Sequence, residues 1–171
     1  MLLDLRGFRG EVERIAREYE PGAFDLRGEE FRITGPVALT AEVRREAQRV
    51  RLVGRIVTRL ETVCGRCLDP LTVPVDSSVD LLFLPEAAGT PGEREVGEDD
   101  LGVSFYKDDA IDLGEVMREQ FFLALPMKPL CMPDCQGLCP ECGVNRNRET
   151  CGCRPEWVDP RMAPLKKLLE G

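Results

Sequence analysis

The chain contains no histidine, and this absence narrows the chemistry that it can support. Without an imidazole there is no Ser–His or Cys–His nucleophile pair, and a catalytic zinc site, which commonly uses histidine and keeps an open position, is disfavoured. The glycine spacings that cradle phosphates are also missing. Neighbouring acids such as Glu98, Asp99 and Asp100 lie in a polar stretch and are expected to be solvated. We therefore expect no enzymatic activity and no small-molecule substrate.

Long apolar runs are missing as well. The longest run near the end of the chain, "FFLALPM", is far shorter than the roughly 20 residues that cross a bilayer. The first residues lack the basic flank and apolar stretch of a secretory signal. The 171 residues are 43% hydrophobic and 32% charged, which suits one ordinary domain or one domain with a small appendage. We expect a soluble, cytoplasmic protein with no membrane contact.

Basic residues are outnumbered by acidic ones, which gives a formal net charge of −8 and a pI near 4.8. Nucleic-acid binding usually needs a basic surface, so bulk attraction to RNA is not expected. A zinc ion held by four thiolates carries a net charge of −2, so two such sites would take the formal charge from −8 to about −12. Any RNA contact would then need a local patch or a protein partner.

The middle of the chain alternates between apolar and polar residues with a period of two, as half-buried strands do. The alternation runs through residues 37–43, 50–60 and 71–83. Three such segments in succession predict an antiparallel meander. Pro74 cannot donate to a strand ladder, so the third segment is expected to be an edge or to carry a bulge there.

A helix is predicted after the sheet, because Asp112 is a good N-cap and Glu115 completes a start that resembles a capping box. Its apolar stripe should cover one face of the sheet, and Pro126 should end it. The stripe consists of Leu113, Val116, Met117, Phe121 and Ala124. A short strand, "VSFY", is expected before this helix.

Three further segments complete the predicted organisation. Residues 85–100 combine proline, glycine and acid, which predicts a mobile acidic loop. The tail "DPRMAPLKKLLEG" predicts a short terminal helix. Near the start, Val12, Ile15, Ala16 and Tyr19 have helical spacing, which predicts a further helix.

Eight cysteines stand out in a chain expected to lie in a reducing compartment. Stable disulfides are rare there, and clustered cysteines are more often metal ligands or redox groups. Five of the eight fall within "CQGLCPECGVNRNRETCGC", a stretch rich in glycine and asparagine that has too few large apolar residues to fold by burial. Metal ligation is therefore the preferred interpretation, ahead of redox chemistry and a disulfide framework.

Closely spaced cysteine pairs are what a tetrahedral structural zinc site requires. The first predicted site combines "CPEC" with "CGC", and its ligands are Cys139, Cys142, Cys151 and Cys153. The second combines the "CGRC" turn between two strands with "CMPDC", and its ligands are Cys64, Cys67, Cys131 and Cys135. An exchange of Cys131 or Cys135 with a member of the first site, or a single site with spare thiols, are alternatives.

Two other roles compete for these cysteines. "CGRC" could be a thioredoxin-like redox pair, but strands flank it where that motif needs a strand-to-helix junction. An iron–sulfur cluster is the other option, which "CPECG" disfavours relative to zinc. We therefore expect one or two Zn²⁺ ions.

Arginines recur on one side of the second predicted strand, at Arg49, Arg51, Arg55 and Arg59. Such a row could contact RNA phosphates. The alternative, which we favour, is the wet side of a sheet balanced by acids such as Glu42, Glu61 and Asp80.

Several separated motifs resemble the YceD family of large ribosomal RNA subunit accumulation proteins. They are "CGRCL", "DLGEVMREQFFLALPMKPLC", "CQGLCPECGVNRN" with "CGC", and "DPRMAPLKKLL", in matching order from about residue 50 to the end. The resemblance implies a bacterial cytosolic factor, with plastid relatives, that is needed for normal accumulation of 23S ribosomal RNA and has no known catalysis. The gene commonly lies beside that of a small ribosomal protein, which implies a protein partner.

Taken together, the sequence predicts an α+β fold: an antiparallel meander or partly closed sheet with a covering helix and a zinc-stabilised, cysteine-rich C-terminal segment. The α+β domain is expected at 1–125 and the cysteine-rich segment at 126–171. The expected function is non-enzymatic support of large-subunit maturation, with a ribosomal protein or precursor large-subunit RNA as partner. The alternatives are a cytosolic thiol redox sensor or oxidoreductase, and a generic zinc-ribbon adaptor.

Overall fold

The computed structural model of the protein describes residues 1–8, 10–86 and 103–153, which form two sheets and one α-helix. The strands are β1 (Leu2–Asp4), β2 (Val12–Tyr19), β3 (Arg32–Ile33), β4 (Val37–Glu46), β5 (Arg49–Val63), β6 (Pro70–Pro85), β7 (Val103–Tyr106) and β8 (Ala110–Asp112), and the helix is α1 (Leu113–Ala124). The larger sheet has the order β2-β4-β5-β6-β7, and β3 pairs with β5 beyond the end of β4. A mostly sheet architecture with one helix agrees with the predicted α+β class.

The three long central strands form the predicted meander, since β4, β5 and β6 pair antiparallel with their neighbours in sequence. Alternate residues of each strand point into one core, and Leu52, Ile56 and Leu60 of β5 are completely buried. Burial of a side chain of this size contributes about 1.5–3 kcal/mol. The polar residues of the same strands lie on the opposite, solvent-facing side of the sheet.

Pro74 lies on an open edge of β6, and the register with β5 continues past it without a bulge. Pro74 is paired with Arg59 of β5. The carbonyl oxygen of Arg59 points away from β6 and accepts a hydrogen bond from the Thr34 N–H at 2.9 Å. The Pro74 nitrogen therefore points away from β5. Among the described residues, the pairing of β6 on that side is with β7 alone, in parallel, at residues 82–85. The proline costs no ladder hydrogen bond.

The predicted N-terminal helix is wrong, because residues 12–19 form the edge strand β2. β2 pairs antiparallel with β4, which places Ile15 opposite Ala41 and Tyr19 opposite Val37. As an outer strand it buries little more than Ile15, and Val12 is half exposed. The spacing of Val12, Ile15, Ala16 and Tyr19 resembled that of one face of a helix, but these residues do not form a common buried face.

The helix α1 packs on the core face of the sheet, as predicted, and Leu113, Met117 and Phe121 are completely buried there. Asp112 is its N-cap, because a side-chain oxygen accepts a hydrogen bond from the Gly114 N–H at 2.8 Å. The same oxygen lies 3.0 Å from the N-terminal ammonium group of Met1. The small sheet of β1 and β8 thus joins the start of the chain to the start of the helix.

The predicted acidic loop lies outside the described residues except for its start, where Pro85 ends β6. The predicted terminal helix also lies outside the described residues. In the described part of the chain, no helix has both the length and the apolar character needed to cross a bilayer. The boundary between the two predicted domains stays a prediction.

Candidate metal centre

The first cysteine pair lies in the turn that joins β5 to β6. The Cys64 N–H donates to the Asp69 carbonyl oxygen at 2.8 Å, and the Cys64 carbonyl accepts from the Leu68 N–H at 3.0 Å. Leu68 has a φ of 61°, a conformation that strains a residue with a branched side chain. This tight turn places the sulfurs of Cys64 and Cys67 on the same side, both almost completely buried.

The chain returns to this turn after α1 and is fixed to it by hydrogen bonds. The Gly65 N–H donates to the Pro129 carbonyl at 2.8 Å, and the Arg66 carbonyl accepts from the Leu138 N–H at 3.0 Å. Gly137 adopts a φ of 70°, and a Cβ there would lie 3.1 Å from the Arg66 carbonyl oxygen. Glycine is therefore required both by the backbone conformation and by the close approach.

These contacts bring together four sulfurs that we call the hairpin cluster: Cys64, Cys67, Cys131 and Cys135. All four Sγ atoms lie within 4.8 Å of one another. The Cys64 and Cys135 sulfurs are 3.8 Å apart, and the Cys67 and Cys131 sulfurs are 3.6 Å apart. The Cys131 N–H donates to the Cys64 sulfur at 3.4 Å. Both close pairs join the sheet to the segment that follows the helix.

The remaining four cysteines form a second group, the tail cluster: Cys139, Cys142, Cys151 and Cys153. Their Sγ atoms also lie within 4.8 Å of one another. Cys139 and Cys142 lie in a tight turn. In this turn the Cys139 N–H donates to the Val144 carbonyl at 2.8 Å, and the Gly143 N–H donates to the Cys139 carbonyl at 2.9 Å. Gly143 has a φ of 74° and makes this turn possible. Cys139 is buried and Cys142 is exposed.

The first cysteine of each Cys-x-x-Cys turn has a lowered thiol pKa. The N–H groups of Cys67 and of the residue before it lower the pKa of Cys64 to about 6. The N–H groups of Cys142 and of the residue before it likewise lower the pKa of Cys139 to about 6. Both turns therefore favour a thiolate, the form that binds metals.

Other thiols of the two clusters are held protonated. Burial, followed by the neighbouring Cys135, raises the pKa of Cys131 to about 12. The side chain of Cys142 raises the pKa of Cys153 to about 12. Negative charges this close repel one another, so four thiolates need a cation among them.

The donor set fits a single tetrahedral ion in each cluster. Sulfurs bound at about 2.3 Å in tetrahedral geometry are about 3.8 Å apart, close to the 3.6 and 3.8 Å separations in the hairpin cluster. Four cysteine sulfurs are a common ligand set of structural zinc. The clusters could thus hold metal ions and are compatible with zinc.

Two asparagine side chains join the loop between Cys142 and Cys151 to the surroundings of the hairpin cluster, and they were not among the predicted site residues. Asn147 donates from Nδ2 to the Cys135 sulfur at 3.3 Å and accepts at Oδ1 from the Gln136 N–H at 2.7 Å. Asn145 donates to an Asp69 carboxylate oxygen at 2.9 Å. The only signal in the sequence is the polar "NRN" between two cysteine pairs, which has no apolar pattern to explain it.

The arginine row lies on the outer face of β5, and two of its members are paired with acids on β6. Arg51 pairs with Asp80 at 2.7 Å, and Arg55 pairs with Asp76. These carboxylates raise the pKa of both guanidinium groups. Asp80 was among the expected balancing acids, whereas Asp76 was missed.

The other two expected acids pair elsewhere. Glu42 contacts Arg14 and Arg44, and Glu61 contacts Arg32. The outer face of the sheet therefore carries both signs of charge in close pairs. This arrangement favours the wet-face interpretation over a free basic patch.

The fold and these clusters define a small α+β protein with two groups of four cysteines able to hold metal ions, one shared between the β5–β6 turn and the C-terminal segment and the other within that segment. The family described as "Large ribosomal RNA subunit accumulation protein YceD" matches residues 52–169, and the chain belongs to this family. All eight cysteines lie within the matched residues. The predicted family is thus confirmed.

Similar proteins occur in bacteria and plants. An uncharacterised protein of Mycobacterium tuberculosis is 35% identical over 131 residues, which cover 77% of this chain and 61% of that protein. The "Large ribosomal RNA subunit accumulation protein YCED homolog 1, chloroplastic" of Zea mays is 27% identical over 173 residues, or 87% of this chain and 58% of the maize protein. The chain spans about three fifths of the length of these curated relatives. No solved structure matches the chain.

Proposed function

We propose that this protein is a non-enzymatic ribosome biogenesis factor that supports accumulation of 23S ribosomal RNA during large-subunit maturation. The observation that carries the proposal is the family match, which spans most of β5, all of β6, the helix and both cysteine clusters. The maize and Arabidopsis relatives bear the same family name. Because the family name concerns ribosomal RNA, we propose action in the cytoplasm, whereas the two plant relatives are named as chloroplastic.

Structural zinc is the second part of the proposal, with one Zn²⁺ ion in each cluster. When bound, zinc would cross-link the β5–β6 turn to the segment after α1, and the two turns of the tail to each other. Four thiolates fill a tetrahedral zinc and leave no position for a reacting water, which agrees with a role outside catalysis. In an iron–sulfur cluster with several irons, cysteine sulfurs on different irons are farther apart than the 4.8 Å within which all four sulfurs of the hairpin cluster lie.

The need for a metal follows from the small apolar content of residues 131–153. The buried residues of this region are Cys135, Gly137 and Cys139. Cys135 forms a small cluster with Cys64 and Cys67 of the β5–β6 turn, and Leu130 and Cys131 pack against it. No α-helix or named strand lies within the described residues after α1. Burial alone gives such a segment little free energy to offset its conformational entropy, so metal–sulfur bonds are its main source of order.

The partner we propose is a basic ribosomal protein, with a restricted RNA contact as the lesser option. The formal charge of −8 would become about −12 with two zinc sites of −2 each, which attracts a basic partner. Arg51 and Arg55 already form ion pairs with carboxylates, so their guanidinium groups are less available to bind an RNA phosphate.

The experiment that tests the function is affinity capture of the full chain from growing cells. We expect precursor large subunits to be captured with it, and depletion of the protein to lower 23S relative to 16S ribosomal RNA. A variant with Cys64 and Cys139 both changed to serine serves as the matched negative control. If the wild-type chain captures no large-subunit component and its depletion leaves the ratio of the two RNAs unchanged, the ribosomal function is wrong and an unrelated adaptor is the better interpretation.

A thiol redox function is the second candidate, and the lowered pKa of Cys64 is the observation that favours it. A reactive thiol also needs access to its oxidant, however, and Cys64 is completely buried. The redox function predicts metal-free protein and a dithiol that cycles between oxidised and reduced forms. The structural function predicts thiols that resist alkylation until a chelator is added.

A further inference from the structure

We propose that Asn147, oriented by Asn145, couples the two cysteine clusters, so that a metal ion in the tail cluster raises the metal affinity of the hairpin cluster. This inference rests on the proposed metal binding and goes beyond it. It assigns a positioning role to two residues that are not metal ligands. It also makes the eight cysteines one cooperative unit rather than two independent sites.

Asn147 makes four hydrogen bonds that fix its side chain and backbone. Nδ2 donates to the Cys135 sulfur at 3.3 Å and to Asn145 Oδ1 at 3.0 Å. Oδ1 accepts from the Gln136 N–H at 2.7 Å, and the Asn147 N–H donates to Asn145 Oδ1 at 3.0 Å. An N–H that donates to a sulfur ligand favours the thiolate and orients it. Asn147 thus acts on the hairpin cluster through Cys135.

Asn145 connects this group to the other side of the hairpin cluster. Its Nδ2 donates to Asp69 at 2.9 Å, and the backbone carbonyl of Asp69 accepts from the Cys64 N–H at 2.8 Å. Arg148 holds the second Asp69 oxygen at 3.0 Å. The polar chain therefore runs from the Cys135 sulfur through Asn147, Asn145 and Asp69 to the backbone of Cys64.

The position of Asn145 and Asn147 depends on the loop that carries them, and the tail cluster holds the two ends of that loop. Asn145 and Asn147 belong to the loop between Cys142 and Cys151, and those two cysteines are both members of the tail cluster. Asn145 is also paired with Leu138, the residue before Cys139, in an isolated antiparallel bridge. A cation that draws Cys142 and Cys151 together closes the loop and holds the asparagines in place. Without it, the loop gains conformational freedom and Asn147 leaves Cys135 more often.

A cycle of variants of the full chain tests the coupling, with Co²⁺ as the probe and the sulfur-to-cobalt charge-transfer band as the readout. The hairpin cluster is titrated in the wild type, in Asn147→Ala, in a variant with Cys139 and Cys142 changed to serine, and in the combination of both changes. We expect Asn147→Ala to weaken Co²⁺ binding by the hairpin cluster about 10–100-fold while the tail cluster is intact. We expect little further loss from Asn147→Ala once the tail cluster is disabled.

Arg146→Ala is the matched control, because Arg146 lies between the two asparagines and its side chain is exposed. It should leave both affinities unchanged. A milder change, Asn147→Gln, tests the same position if the alanine variant does not fold. An equal loss with and without the tail cluster, or no loss in either background, overturns the coupling. Failure of the wild type to bind Co²⁺ at all overturns the proposed metal binding itself, so the two failures are distinguishable.

Discussion

The Sγ atoms of Cys64 and Cys135 lie 3.8 Å apart, although 71 positions separate the two residues in sequence. Both residues are almost completely buried, and their contact joins the β5–β6 turn to the segment after α1. Cys64→Ser should therefore abolish the hairpin site and release one of two zinc equivalents. Cys139→Ser should release the other. Metal analysis of protein purified without added zinc measures both losses.

Met132→Ala is the control for this experiment, since Met132 lies between two cysteines of the hairpin cluster with its side chain 43% exposed. It should keep both zinc equivalents. Cys64→Ser should in addition make residues 131–153 more susceptible to proteolysis, because the segment loses its metal cross-link to the sheet and keeps only hydrogen bonds and an ion pair. Wild-type metal content in both serine variants would show that these cysteines are not ligands.

The second prediction concerns pH in the metal-free protein. Cys64 and Cys139 have pKa values near 6, well below the usual value for a thiol, because backbone N–H groups stabilise their thiolates. Ultraviolet thiolate absorbance should therefore show a first step near pH 6 to which Cys64 and Cys139 both contribute. Burial opposes ionisation of Cys135, but hydrogen bonds, led by that from Asn147, lower its pKa as well, so this thiol should also ionise below the ordinary thiol pKa. A single step at the ordinary thiol pKa would contradict the geometry of the two turns.

The same shifts set the direction of the stability change. A thiol whose pKa is lower in the folded state binds fewer protons there than in the unfolded chain. Its contribution to the free energy of unfolding is fully present above the ordinary thiol pKa and is lost as the pH falls through about 6. Denaturant unfolding of metal-free protein should show stability rising from pH 6 towards pH 9. Cys64→Ala should reduce this rise, and it should remove the contribution of one thiol from the early absorbance change.

The third prediction concerns Gly54, where β5 and β4 come unusually close. A Cβ at this position would lie 2.5 Å from the Thr40 carbonyl oxygen and 2.6 Å from the Ala41 Cβ. Gly54→Ala should destabilise the protein by about 1–3 kcal/mol, as overpacking of a rigid core does. Denaturant unfolding of the wild type and the variant measures the difference.

Gly35→Ala is the matched control, because a Cβ there meets no atom within 4 Å and its φ is not positive. The free energy of unfolding of this variant should stay within about 0.5 kcal/mol of the wild type. Equal stability of the two alanine variants would mean that β4 and β5 can move apart at Gly54 without cost.

The parts of the fold that follow from local pattern were predictable from sequence. The period of two gave the meander of β4, β5 and β6, and Asp112 marked the start of α1. β2 was mistaken for a helix because an edge strand buries too few side chains to display its period. The structure brings the eight cysteines together in the two groups of four that we preferred from their spacing, whereas their role as ligands stays a prediction.

The contacts of the cluster surroundings could not be predicted, because they join residues that are distant in sequence. Nothing in "NRN" indicates that Asn145 would meet Asp69, 76 positions earlier in the chain. Asp76 was missed as the partner of Arg55 for a related reason, since cross-strand pairing depends on the register of β5 and β6. Spacing shows which residues could meet within a turn, but register and docking decide the rest.

The last prediction separates a basic protein partner from an RNA contact. Arg51 and Arg55 each have a carboxylate partner on β6, so changing them with Arg59 to glutamine should leave capture of large-subunit precursors unchanged. Glutamine avoids the cross-strand repulsion that glutamate would create beside Asp80 and Asp76. Capture by wild-type protein should weaken steeply with salt, because an acidic surface attracts a basic partner through charge that salt screens.

Arg6→Gln is the matched control, since Arg6 is an exposed arginine outside β5, in the turn after β1, and also pairs with a carboxylate, that of Asp4. If arginines of β5 contact phosphates, the triple variant should lose capture and its salt dependence should fall by about one unit of slope per lost contact, while Arg6→Gln behaves as the wild type. That outcome would replace the wet-face interpretation of Arg49, Arg51, Arg55 and Arg59 with an RNA-binding one. Capture that does not change with salt would count against both kinds of partner, because each depends on charge.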